Sequence, residues 1–137
     1  QLGDVGRALL AGELGDAKSL LGEWQKLFPN RFYLELQRLG KPDEEDYIEK
    51  ALELSQLTSC PCVATNDVRF LKQEDFEAHE VRVCINERRS LDDPRRVRTY
   101  TDQQYLKTQQ EMSALFVDIP EALENAWEIA KRCNIAL

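Results

Sequence analysis

The stretch at residues 61–70, Pro-Cys-Val-Ala-Thr-Asn-Asp-Val-Arg-Phe, decides the fold class predicted for this chain. It is a short apolar run that ends abruptly at Asn66 and Asp67, a pattern typical of a strand buried in a parallel sheet. An unpaired carboxylate there is costly, and α/β proteins build their sites at this end of the strands. We therefore interpret Asp67 as a candidate metal ligand or catalytic group. The alternative is an aspartate that caps the following helix.

The residues before this stretch alternate between helical and strand patterns. Residues 16–28 and 42–58 have the apolar spacing of amphipathic helices, and residues 31–38 alternate as a strand. Two strands joined by a helix of this length are almost always parallel, with a right-handed crossover. We therefore predict parallel strands near residues 31–38 and 61–67, whose carboxyl ends lie at one edge of the sheet.

Helical patterns dominate the second half of the chain. We predict helices at about residues 74–87 and 103–117, and a last helix that begins at an acidic cap in residues 118–121. His79 lies in the first of these helices, where a single histidine is more typical of packing or capping than of metal binding. The inward positions predicted for the last helix are Leu123, Ala126, Trp127, Ala130 and Cys133.

The composition excludes several classes of function. With 42% hydrophobic and 31% charged residues and a net charge of −7, the chain can form a core, and its average field repels nucleic acid. The most basic stretches, residues 88–89 and 95–98, lie near acidic residues, which favours a solvated loop. No apolar run approaches the roughly 20 residues of a membrane span, and no signal peptide is present, so we expect a cytoplasmic protein.

The cysteines indicate the redox state of the protein, and the first residue bears on whether the chain is part of a longer protein. The four cysteines form no Cys-x-x-Cys pair and there is one histidine, which disfavours a structural zinc site and favours reduced, mostly buried thiols. The chain opens on Gln1 and runs directly into a helical pattern, so we expect it to be a piece of a longer protein.

Seven short runs resemble, in the right order, the alpha subunit family of bacterial DNA polymerase III. The runs are Phe32–Arg38, Pro42–Glu45, Val63–Phe70, Asp75–Glu80, Leu91–Pro94, Asp118–Leu123 and Glu128–Asn134. The resemblance covers nearly the whole chain. The matched region corresponds to the second half of the polymerase and histidinol phosphatase (PHP) domain of that family.

This resemblance implies the fold class: α/β, as part of a distorted parallel β/α barrel of the PHP, TIM-like kind. Residues 1–101 would form the second half of the PHP domain. Residues 102–137 would form a mainly helical segment that completes the domain or links it to the polymerase core. The site of such barrels lies at the carboxyl ends of the strands, the same edge that the strand order predicts.

The resemblance also implies a degenerate metal site. Members of the family that bind metal end their ligand set with an Asp-x-His motif, which here reads Asp67-Val68-Arg69. Arginine has no lone pair with which to bind a cation. Asp67 would then be a vestigial ligand and Arg69 a former ligand position, with Asn66 and His79 as possible supporting groups. No catalytic residue and no bound cofactor are expected in this segment.

The implied function is that of a part of a replicative enzyme. The longer protein would be a Mg²⁺-dependent, DNA-directed DNA polymerase, a nucleotidyltransferase of DNA replication. This segment would be a non-catalytic platform that contacts the rest of the alpha subunit and docks the proofreading exonuclease subunit. DNA would be bound only through the full-length protein, and no membrane partner is expected.

Two other functions stay open at this point. One is a metal-dependent phosphoesterase of the PHP family, with Zn²⁺ or Mn²⁺ held by Asp67 and possibly His79, if the PHP site is intact. The other is a stand-alone helical interaction module. Because half a barrel leaves sheet edges and an apolar face uncovered, we also expect the isolated segment to self-associate.

Overall fold

The sheet of this chain has two parallel strands in the computed structural model, which describes residues 3–133. Strand β1, Leu34–Leu36, pairs with β2, Cys62–Ala64, so that Leu34 lies opposite Cys62 and Leu36 opposite Ala64. The predicted parallel pairing is confirmed. The strands are shorter than the predicted ranges because regular pairing ends after Leu36 and Ala64.

Six α-helices accompany the sheet in the described part of the chain. They are α1 Asp4–Leu10, α2 Leu14–Leu27, α3 Glu44–Thr58, α4 Phe76–Glu87, α5 Gln109–Leu115 and α6 Pro120–Arg132. A short 3-10 helix, Gln73–Asp75, precedes α4. None of the helices within residues 3–133 is long and apolar enough to cross a bilayer.

One hydrophobic core joins the sheet to the helices around it. Helices α1, α2 and α3 contact one another, α3 contacts both strands, and α6 packs along β2. Fully buried side chains from different elements meet in this core, among them Leu21, Leu36, Leu54 and Phe116. The apolar stripes of α2 and α3 supply much of it, as their spacing predicts.

Helix α6 covers the free edge of β2. The Nδ2 group of Asn125 donates a hydrogen bond to the carbonyl oxygen of Cys62 at 2.9 Å. That carbonyl points away from β1, because it is the carbonyl of Pro61 that accepts the amide of Leu34 on the inner edge. An unpaired group of an edge strand is therefore satisfied by a side chain instead of a third strand.

Arg38, which follows β1, fixes the start of α6. Its guanidinium donates to both oxygens of Asp118, Nη1 to Oδ1 at 2.6 Å and Nη2 to Oδ2 at 2.8 Å. It also binds Glu45 and lies over the ring of Phe116, 5.2 Å from the centroid. The predicted cap by Asp118 is therefore not formed: the residue that caps α6 is Ile119, without a side-chain hydrogen bond.

The helix predicted at residues 103–117 is much shorter in the structure. It begins only after Thr108, whose hydroxyl accepts the amide of Glu111 at 3.2 Å while the Glu111 carboxylate accepts the amide of Thr108 at 2.7 Å. Before that cap the chain is not helical, and Tyr105 forms a parallel bridge with Phe70. The local capping box and the tertiary pairing together override the helical pattern.

Helix α6 does not bury all the positions predicted for it, and α4 leaves a large apolar side chain exposed. In α6, Trp127 is 66% exposed and Cys133 is exposed, whereas Ala122 lies in the core. In α4, Ile85 is 72% exposed. The side chains that α4 buries are His79, Glu80 and Cys84.

The irregular segment after α4 is only partly the solvated loop that its charges predict. Arg95 is exposed and pairs with Asp93. Arg96, in contrast, has a side chain only 3% exposed and forms a buried ion pair with Glu80 on α4. This pair holds the middle of the segment against the helix.

Candidate functional site

Asp67 lies just beyond the carboxyl end of β2, in a coil segment where the amide of Val68 donates to the carbonyl oxygen of Asn66 at 2.7 Å. The segment is supported from the side by later residues. The amide of Arg69 donates to the carbonyl oxygen of Gln104 at 2.8 Å, and the amide of Leu106 donates to the carbonyl oxygen of Phe70 at 3.0 Å. The site is thus built from two parts of the chain that α4 and the irregular segment separate.

The carboxylate of Asp67 forms an ion pair with the guanidinium of Arg69. Arg69 Nη2 lies 2.8 Å from Oδ1 and 3.0 Å from Oδ2 of Asp67. The guanidinium also lies over the ring of Tyr100, 5.6 Å from its centroid, which fixes its plane. A permanent positive charge therefore sits beside the carboxylate that the sequence singles out.

Gln104 is a residue of this site that sequence reasoning missed. Its side chain is fully buried, and its Nε2 group donates to Oδ2 of Asp67 at 2.8 Å and to the backbone carbonyl of Asp67 at 3.2 Å. Its Oε1 atom accepts the amide of Thr101 at 3.0 Å. The only sequence signal was the polar run at residues 101–104, which is more typical of a turn than of the helix predicted there.

Asn66 binds the backbone at Tyr105 and makes no hydrogen bond to the Asp67 carboxylate among the described residues. Its Nδ2 group donates to the carbonyl oxygen of Tyr105 at 2.6 Å. Its Oδ1 atom is buried and has no partner among the described residues. The side chain therefore joins the same two parts of the chain that Gln104 joins.

His79 is packed in an aromatic cluster beside this site. It is 8% exposed, and its ring lies 5.4 Å from that of Phe70 and 4.7 Å from that of Tyr100. Neither ring nitrogen has a hydrogen-bond partner within residues 3–133. Burial, followed by the charge of Arg82, lowers the pKa of the imidazole, so the neutral form is favoured.

Tyr100 lies between the aromatic cluster and the ion pair, because its ring contacts both His79 and Arg69.

A second set of polar side chains, at the carboxyl ends of β1 and β2, forms hydrogen bonds among its own members. Thr65 Oγ1 donates to Glu35 Oε1 at 2.6 Å, and Gln37 donates to Thr65 Oγ1 at 3.1 Å.

Cys60 and Cys62 are buried thiols next to and within β2. Burial raises the pKa of Cys60 to about 11, and it also raises the pKa of Cys62. Cys84 is buried as predicted and Cys133 is exposed. Within residues 3–133 no three side chains of the His, Cys, Asp or Glu type come together as a metal site would require.

Comparison with known proteins gives a consistent set of relatives, although no family model matches the chain. Over 133 residues, 97% of this chain, the sequence is 61% identical to a protein of Pseudomonas aeruginosa. It is 56% identical over 133 residues to a protein of Pseudomonas fluorescens, and 50% identical over all 137 residues to one of Escherichia coli. Each of these relatives is a DNA polymerase III subunit alpha.

The resemblance to alpha subunits is therefore confirmed by identities that extend over the whole chain. The chain spans 11–12% of the length of the alpha subunits that it matches. The aligned region includes Asp67, Arg69 and Gln104, since the match to the Escherichia coli subunit covers all of this chain.

Proposed function

We propose that this chain is a non-catalytic structural segment of a replicative DNA polymerase alpha subunit, in which Arg69 and Gln104 hold Asp67 where a relative would hold a cation. The names and identities of the relatives support the parent protein. That parent is a Mg²⁺-dependent, DNA-directed DNA polymerase. The segment belongs to its PHP barrel and serves as a platform for the rest of the subunit and for the proofreading exonuclease subunit.

The observation that carries this proposal is that N–H donors of Arg69 and Gln104 occupy the Asp67 carboxylate, whose side chain is 30% exposed. Oδ2 accepts hydrogen bonds from both Arg69 and Gln104, and Arg69 Nη2 lies 2.8 Å from Oδ1 as an ion pair. Both partners present N–H donors, and neither donor atom has a lone pair for a metal. The residues at this position do not fit a divalent cation, because the guanidinium already provides the positive charge beside the carboxylate.

The test of this role is substitution of Arg69 in the full-length alpha subunit. Arg69→Ala should lower the midpoint of thermal unfolding and weaken binding of the exonuclease subunit, because Asp67 loses its counter-charge. Lys72→Ala is the matched control, since Lys72 is a nearby cation whose side chain is 73% exposed. If Arg69→Ala changes neither stability nor exonuclease binding, the replacement of a cation by Arg69 has no support.

The alternative function, a metal-dependent phosphoesterase, predicts a different result. It requires Zn²⁺ or Mn²⁺ at Asp67 with water as the nucleophile. Elemental analysis of the purified full-length subunit should then give a stoichiometric metal that Asp67→Ala removes. A preparation that is free of metal and still folds and polymerises supports the structural role.

A further inference from the structure

A second surface of the chain lies far from Asp67 in sequence, between α5 and α6. It is a cleft of about 570 Å³, lined mainly by apolar side chains. The lining residues are Gln109, Met112, Ser113, Leu123, Ala126, Trp127 and Ala130. We call this surface the α5–α6 cleft.

The core of this chain covers only part of the apolar side of α6. Ala122 is buried, and Leu123 packs against the core, but Trp127 on the next turn is 66% exposed. A large exposed aromatic beside a long apolar groove is the usual composition of a binding hot spot. Grooves between two helices commonly receive the apolar face of a third helix.

Charge around the cleft selects among the possible occupants. The adjoining part of the groove is lined by Glu124 and Glu128 together with Leu123 and Trp127. Glu128 is paired with Lys131, whereas Glu124 has no ion-pair partner within the described residues. A second copy of this chain would place acid against acid, and each copy carries a net charge of −7. A partner with basic residues beside its apolar face fits this rim better.

We propose that the α5–α6 cleft binds an amphipathic helix of a partner protein, with the apolar face of that helix against Trp127 and Met112 and its Lys or Arg residues beside Glu124 and Glu128. This site is separate from Asp67 and does not depend on the structural role proposed above. The expectation that the isolated chain self-associates stays a prediction, and it is a competing occupancy of the same apolar face.

Two synthetic helical peptides with one apolar face of leucines provide the probe, one flanked by lysines and the other by glutamates. Fluorescence anisotropy of the labelled peptides should show that the full-length alpha subunit binds the lysine-flanked peptide at least tenfold more tightly than the glutamate-flanked one. Glu124→Lys combined with Glu128→Lys should reverse this preference. Trp127→Glu should weaken binding of the lysine-flanked peptide at least tenfold.

Leu57→Glu is the matched control, because Leu57 is 52% exposed on α3 and does not line the cleft. It should leave peptide binding unchanged, and circular dichroism should show that every variant is folded. Absence of binding, equal binding of both peptides, or binding that Trp127→Glu does not weaken would overturn the proposal. A dimer in light scattering that Trp127→Glu dissociates would identify a second copy as the occupant and would also overturn it.

Discussion

Gln104 donates its side-chain amide to the carboxylate of Asp67 at 2.8 Å, across 37 residues of sequence. The intervening chain contains α4 and the irregular segment that follows it. Closing a loop of this length has an entropic cost that the bonds at its two ends must offset. Gln104 is therefore part of the site together with Arg69, although it lies far in sequence from the Asp67-Val68-Arg69 motif.

Gln104→Ala should destabilise the chain by about 1–3 kcal/mol, because it removes the hydrogen bonds that this buried side chain makes with Asp67 and with the amide of Thr101. Urea unfolding followed by circular dichroism measures this change. Gln110→Ala is the control, since Gln110 is exposed on α5 and should change the free energy of unfolding by less than about 0.5 kcal/mol. Equal effects of the two substitutions would contradict the role assigned to Gln104.

The buried ion pair between Glu80 and Arg96 provides a second prediction. The two side chains are 7% and 3% exposed, so Arg96→Ala leaves a carboxylate buried without its partner. Such a loss costs about 3–5 kcal/mol, and we expect the loss to appear as a large drop in thermal stability. Hydrogen exchange in α4 should increase at the same time, because this pair holds the irregular segment on that helix.

The double variant Glu80→Leu with Arg96→Met removes both charges and should recover most of the stability, since a buried ion pair and an apolar pair are often equivalent. Arg95→Ala is the surface control. Arg95 is 82% exposed beside Asp93, and its loss should lower the stability far less than the loss of Arg96. A double variant no more stable than Arg96→Ala would show that the pair itself is required.

His79 should make the chain less stable in mild acid. Its pKa is lowered from 6.5 by burial and by the charges of Arg82 and Arg69, while Glu80 acts in the opposite direction. Below pH 6.5 the unfolded chain takes up a proton that the folded chain resists. The contribution to stability is therefore complete above 6.5 and declines as the pH falls from 6.5 toward the lower folded pKa.

His79→Phe should remove this decline, because phenylalanine can occupy the space between Phe70 and Tyr100 without titrating. Urea unfolding at about pH 7.5 and about pH 5.5 lies largely above the titration of carboxylates, so the comparison isolates the histidine. The same loss of stability between the two pH values in both proteins would show that His79 is not the titrating group.

Much of the fold follows from local patterns, and much of the site does not. The stripes of α2 and α3 and the parallel pairing of β1 with β2 depend on periodicity and crossover geometry, which the sequence displays directly. Gln104 could not be found this way, because its partners are set by tertiary contact. The same holds for the extended pairing of Tyr105 with Phe70, which displaces a helical pattern.

The wrong prediction that Trp127 faces inward has a physical cause that also applies to Ile85 in α4. A pattern of apolar residues predicts which face of a helix is apolar, but it does not show whether that face meets this chain or another surface. Trp127 and Ile85 lie on apolar faces that this chain leaves uncovered. The burial of Glu80 cannot be predicted from its own position, because a carboxylate is rarely buried without a partner. Its partner, Arg96, is brought to it by the tertiary structure.

The ion pair between Arg38 and Asp118 should make the packing of α6 less stable in acid. Arg38, with a side chain 16% exposed, donates two hydrogen bonds to Asp118 and one to the carbonyl oxygen of Leu115. Arg38→Ala should therefore destabilise the chain by about 1.5–3 kcal/mol at neutral pH. Lys50→Ala, which breaks the exposed pair with Asp46 within α3, should cost only about 0.3–0.5 kcal/mol.

The hydrogen bonds from Arg38 lower the pKa of Asp118 below 3.8. A carboxyl group whose pKa is lower in the folded state stabilises the chain above pH 3.8, and this contribution is lost as the pH falls through the folded value. The difference in unfolding midpoint between the unmodified chain and Arg38→Ala should therefore shrink between neutral pH and about pH 3. A difference that stays constant over this range would show that Arg38 acts through its packing on Phe116 and not through its bonds to Asp118.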